Sequence, residues 1–232
     1  MEKSRIKLTL KEVLKLLLLG LCVYAAMDCS HTSAVLGAAS AFTAGKFIYF
    51  TFISLYLTII STVLGYIVKT KAGKKLEAVY KDMLAVAFSL EGIVTVLFWS
   101  LYVTDRKLLL GKSVMNDSDS LFIEMSSHLF PIVLLLISQA EVRLRKERRC
   151  IYFIFGSGIL YLLEITYFHK KDNKWPYPIF KDPQGSAFNY GPLKRILFIA
   201  ASCLIGVAFY RSLISINDTI HQGYEESESN QI

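Results

Sequence analysis

Six apolar runs constrain this chain more than any other feature. They span approximately Leu8 to Met27, Phe47 to Val68, Met83 to Val103, Leu121 to Ala140, Ile151 to Phe168 and Leu193 to Ile214, with short polar and basic segments between them. A helix rising 1.5 Å per residue needs about 20 mostly apolar residues to cross a bilayer. In hydrocarbon its backbone polar groups must also be bonded within the segment. The runs therefore predict an all-α polytopic membrane bundle of about six transmembrane helices. A hydrophobic content of 53% over 232 residues agrees, being too high for an ordinary water-soluble domain. One membrane domain is expected over residues 1–215. The remainder, 216–232, ends in "HQGYEESESNQI", a polar and acidic tail too poor in apolar residues to order itself.

The formal net charge of +7 raises the question of a nucleic-acid partner. The basic residues sit in clusters between apolar runs and are not interleaved with aromatics, so the charge is read as span-end charge and no nucleic acid is expected. Sixteen of the 26 Lys and Arg residues fall on one side of an alternating six-span arrangement, which puts both termini in the cytoplasm by the positive-inside rule. The basic start "MEKSRIKLTLK" ahead of an apolar run has the form of a signal peptide. Because further spans follow, an uncleaved first span is expected. Cys22, Cys29, Cys150 and Cys203 lack metal-type spacing, so neither a zinc site nor a disulfide framework is indicated. Two glycosylation sequons test the orientation: Asn116 should be lumenal and Asn217 cytoplasmic.

Ionisable groups at membrane depth are costly, and each is a functional candidate. His128 falls about seven residues into the fourth run, roughly 10 Å below the surface. Pro131 removes the backbone donor that would bond the Ser127 carbonyl, so the helix should kink beside the histidine. Glu124, one turn earlier, is placed to orient the ring. In the second run Thr51, Ser54, Thr58 and Ser61 fall within an arc of about 80°. Thr51 is the outermost of this stripe, close to the expected level of His128. Hydroxyl stripes more often serve close helix packing, and a lone histidine is often a satisfied core group. Glu91 is expected level with Thr58, deeper in the same polar region, and Glu164 lies about one turn from the outer end of the fifth run. No G-x-S-x-G, HExxH, P-loop or dinucleotide fingerprint occurs.

The segments "KFIYFTFIS", "YKDMLAVAFSLEGIVTVLFWSLYVTDRKLL", "SSHLFPIVLLLISQAEVRL" and "NKWPYPIF", in this order, resemble the androgen-induced and androgen-dependent TFPI-regulating protein family over roughly Lys46 to Phe180. The resemblance implies a multi-span hydrolase of fatty acid esters of hydroxy fatty acids, with Thr51 as nucleophile and His128 as general base. Animal members carry the histidine five residues before the proline. Here His128 stands three before it, and Ser126 holds the five-before position.

The expected function is thus lipid-ester hydrolysis through Thr51 and His128. Glu124, Glu164 and Glu91 are possible orienting or pocket groups, and Ser54 and Ser127 possible oxyanion donors. No metal and no cofactor is expected. The partners are membrane lipids and a lipid ester, and the location is the endoplasmic reticulum, with the plasma membrane as alternative. A non-enzymatic lipid-binding or scaffold protein with the same polar pocket is the rival reading. A small transporter using Glu91 and His128 is a third, without a broken-helix repeat to support it.

Overall fold

The computed structural model describes residues 2–27, 42–104, 121–181 and 191–229; Cys29, Asn116 and the last three residues of the tail lie outside them. Among the described residues seven α-helices follow one another: α1 Glu2–Ala26, α2 Phe50–Ile67, α3 Glu77–Thr104, α4 Leu121–His128, α5 Phe130–Gln139, α6 Arg148–Asp172 and α7 Gly191–Ser229. Short 3-10 turns at Gly45–Ile48, Gly73–Leu76 and Pro178–Phe180 complete the described elements, and no strand occurs among the described residues.

Among the described residues five helical segments are long and apolar enough to cross a membrane: Phe50–Ile67, Gly73–Thr104, Leu121–Gln139, Arg148–Asp172 and Gly191–Gln222. The chain is a helical integral membrane protein. The expected sixth span corresponds to α1, a helix of 25 residues that is not among those five. It carries Lys11, Glu12 and Lys15 inside its apolar run. Large apolar side chains such as Leu17, Tyr152, Leu160, Leu163 and Leu204 face outward, as a lipid-facing surface requires. Helix α7 continues beyond residue 216, where the sequence suggests a tail, to Ser229.

Helix α3 is the hub of the bundle, touching α2, α4, α5, α6 and α7. Its stretch from Leu84 to Val94 is buried on every side, which fits a helix that is apolar all round. Small residues permit the closest crossings. A Cβ on Gly92 would strike the Phe209 ring of α7, and one on Gly158 of α6 would strike Cys203.

The bundle end that holds Glu141 is tied by polar contacts. Lys15 of α1, only 3% exposed, donates to both Glu141 oxygens at 2.8 and 2.9 Å. Lys11 and Lys69 approach the same carboxylate at 3.3 and 3.1 Å, and Lys69 also meets Glu12 at 3.1 Å. The charges that set α1 apart are therefore spent inside the protein. Nearby, Asn217 of α7 is fully buried. Its amide donates to the Gln139 and Val142 carbonyls at 2.8 and 2.9 Å, and its oxygen accepts from the Leu144 N–H at 2.8 Å. Those bonds satisfy the backbone where α5 ends, and they explain why α7 stays helical and docked past residue 216.

Removing the carboxylate should leave Lys15 charged and enclosed. Glu141→Ala is expected to lower unfolding stability in detergent by about 3 kcal/mol, against about 0–1 kcal/mol for exposed Lys69→Ala. Burial raises the Glu141 pKa, but hydrogen bonds and charge from Lys15, with Lys69 and Lys11, outweigh it and hold the carboxyl below its ordinary value of 4.5. A depressed folded-state pKa gives stability that is present above the unfolded value and lost as pH falls through the folded one. Thermal scans from neutrality downward should accordingly show a loss of stability below about pH 4.5 that Glu141→Gln reduces.

Candidate functional site

Proline chemistry divides the fourth apolar run. Pro131 has no N–H to bond the Ser127 carbonyl, and the helix breaks at Leu129, whose φ and ψ are −128° and −47°. The carbonyl of His128 is released from the helical ladder, and Thr95 of α3 donates to it at 2.8 Å. His128 thus ends α4 with its backbone held by a neighbouring helix.

Its ring is held on two more sides. The imidazole stacks on Phe98 of α3, with centroids 3.5 Å apart and planes 7° off parallel. Nδ1 lies 2.9 Å from the Glu124 carbonyl and 3.2 Å from its carboxylate Oε2. Both neighbours are acceptors, so Nδ1 carries the hydrogen and Nε2 the lone pair of the neutral ring. His128 and Glu124 are both buried.

The second polar group lies on α2 against α3. Thr58 donates to Glu91 Oε1 at 3.0 Å, and both are fully buried. Ser54 donates to the Thr51 carbonyl at 3.1 Å and sits beside Glu91 as well. Glu91 Oε2 and the Ser61 hydroxyl are buried without a hydrogen-bond partner. Consecutive α2 and α3 run antiparallel, so a step back along one matches a step forward along the other. Thr51 and Phe98 each lie seven residues from the Thr58–Glu91 bond, two turns or about 10 Å along the axis. Thr51 therefore comes level with Phe98 and with the imidazole stacked on it.

Level is not contact. Among the described residues no hydrogen bond joins Thr51 to His128. Thr51, half-buried in the first turn of α2, has its side chain hydrogen-bonded to the Tyr177 hydroxyl. Ser127 donates back to the Ile123 carbonyl at 3.2 Å, and Ser126 to that of Phe122 at 2.7 Å. Glu164 is half-buried on α6, on the side of the bundle that holds Tyr161. The structure thus joins Glu124 to His128 and Glu91 to Thr58 and Ser54, and it leaves Glu164 and Ser127 apart from both. The tyrosine beside Thr51 is the residue that sequence reasoning missed. Its signal was the Trp-Pro-Tyr-Pro loop, which promises rigidity but does not say where the phenol points. Among the described residues no group of three or more His, Cys, Asp and Glu could hold a metal ion.

The FAR-17a/AIG1-like protein family matches the chain over residues 13–218. The androgen-dependent TFPI-regulating protein of Rattus norvegicus is 26% identical to it over 138 residues, which is 56% of this chain and 55% of the rat protein. The match thus spans about half the length of that curated relative. No solved structure matches the chain.

The Thr58–Glu91 bond gives a direct expectation. Glu91→Gln retains an acceptor for Thr58 without a buried ionisable group, and unfolding in detergent should stay within about 1 kcal/mol of wild type or improve. Thr58→Val, which removes the donor and leaves the acid, should cost about 1 kcal/mol.

Proposed function

The chain belongs to the FAR-17a/AIG1-like family, and on that premise we propose that it is an integral membrane lipid-ester hydrolase with Thr51 as nucleophile and His128 as general base. The observation that carries this reading is the setting of His128: clamped on Phe98, tied through Nδ1 to Glu124, and level with Thr51. A threonine hydroxyl is a weak nucleophile until a base takes its proton, and an imidazole with Nε2 free to accept suits that work. Glu124 fixes the tautomer and steadies the imidazolium that follows.

The substrate class follows from the surroundings. Apolar side chains face lipid around the bundle, so an acyl chain reaches Thr51 from the bilayer, while water for deacylation enters from the nearby surface. An ester of a hydroxy fatty acid has both the apolar chains and the scissile carbonyl for such a site. We place the protein in the endoplasmic reticulum, with both termini in the cytoplasm and Thr51 toward the lumen.

A second reading has its own support. Thr51 and His128 are hydrogen-bonded to different partners, as they would be in a lipid-binding scaffold that keeps the pocket without the chemistry. Activity-based labelling separates the two. A hydrolase should be modified at Thr51 by a fluorophosphonate probe and should turn over bis-acyl esters, with Thr51→Ala and His128→Ala each losing about three orders of magnitude or more. A folded Thr51→Ala protein with full turnover and unchanged labelling would refute the assignment.

A further inference from the structure

The loop after α6 brings a phenol to the Thr51 hydroxyl. Helix α6 ends at Asn173, whose φ of 53° turns the chain back while its N–H donates to the His169 carbonyl at 2.9 Å. Trp175 then lies between two planar groups. The His169 ring stacks on it at 3.9 Å, and the Arg195 guanidinium sits 3.9 Å from its centroid. Arg195 also donates through Nε to the Phe180 carbonyl at 3.0 Å, so both ends of the loop are fastened to α7. With Pro176 and Pro178 restricting the backbone between them, the direction of Tyr177 is fixed.

That direction is toward the start of α2. The Tyr177 ring meets Tyr49 edge-on at 5.5 Å. From α6, Tyr161 packs on Phe50 at 5.0 Å and donates to the Ile48 carbonyl at 3.1 Å. The three residues preceding Thr51 are thus gripped by two tyrosines from two elements. The Tyr177 hydroxyl is hydrogen-bonded to the side chains of Thr51 and Tyr161, and the Phe50 N–H donates to it.

We propose that Tyr177 donates a hydrogen bond to the oxyanion formed when Thr51 attacks an ester, and that Tyr161 sets the direction of that donor. The inference rests on the hydrolase reading above. In the attack, Thr51 Oγ bonds to the carbonyl carbon and its proton passes to His128. The carbonyl π pair moves onto oxygen, where Tyr177 meets it. Collapse breaks the bond to the leaving alcohol, which takes the proton from His128, and water then hydrolyses the acyl-Thr51 ester. Tyr177 keeps its own proton throughout. Burial pushes its pKa up to about 12, the Thr51 and Tyr161 hydrogen bonds pulling the other way, so at neutral pH it is a donor and not a base. With the Tyr161 proton spent on the Ile48 carbonyl, the Tyr177 proton rests toward Tyr161 and turns to the oxyanion as charge develops, a short reorientation of a group already beside the nucleophile.

Full-length protein in detergent or liposomes tests this with Tyr177→Phe and Tyr161→Phe, assayed for bis-acyl ester turnover, fluorophosphonate labelling and thermal unfolding. Tyr177→Phe should lower kcat about 100-fold with KM within about twofold, slow labelling of Thr51 in parallel, and leave the shape of the pH profile unchanged. Tyr161→Phe should lower kcat about 10-fold in the same pattern. If wild type shows neither turnover nor labelling, the hydrolase reading falls and takes this inference with it. If wild type is active and a folded Tyr177→Phe keeps kcat within about twofold, the inference alone is overturned. Should Tyr177→Phe fail to accumulate, an unchanged kcat in Tyr161→Phe overturns it equally.

Discussion

Hydrocarbon offers a polar atom no water, so a group placed at membrane depth must find its partner inside the protein. Much of what is unusual here answers that demand. Lys15 can be buried because Glu141 meets it. The carbonyl that the helix break at Leu129 frees on His128 is taken by Thr95, and the end of α5 is satisfied by one asparagine from α7. These contacts join helices far apart in sequence, which makes the polar minority of the chain, and not its oily majority, the determinant of which helix lies beside which. Leucine facing lipid and leucine facing a neighbouring helix differ little in energy; an unpaired lysine does not have that freedom.

The same demand shapes the candidate site. The proposed chemistry draws on three groups: a threonine at the start of α2, a histidine at the end of α4 and a tyrosine on the loop after α6. Each lies at a helix terminus or on a loop, where the regular backbone gives way and side chains are aimed by caps, breaks and stacking. Phe98 links two of these features, since it belongs to the most buried helix and carries the imidazole on its face. The histidine is accordingly seated on the most buried helix of the bundle, although it does not belong to that helix.

Much of this was legible in the residues. Run lengths gave the helices, the proline offset gave the break beside His128, and the four-residue step gave the Glu124 contact. Depth along the second and third runs put Glu91 level with Thr58, without saying that the two side chains would bond. Two things were not legible. Apolar length does not reveal that α1 carries charges whose partners lie far along the chain, Lys15 and Glu12 meeting theirs 126 and 57 residues away. Nor does composition reveal the direction of Tyr177, which follows from stacking between Trp175, His169 and Arg195, residues whose proximity depends on how α6 and α7 cross.

The burial of Asn217 changes what its sequon means. Read along the chain, Asn-Asp-Thr invites a glycan and would report which side of the membrane the residue occupies. In the fold, the amide nitrogen that a sugar would occupy is already hydrogen-bonded to the carbonyls that end α5, with no surface exposed to a transferase. Glycosylation there would require α7 to be undocked when the enzyme met it. A mobility shift at this position would therefore record an assembly failure, a chain whose last helix never closed on the others, before it recorded anything about topology.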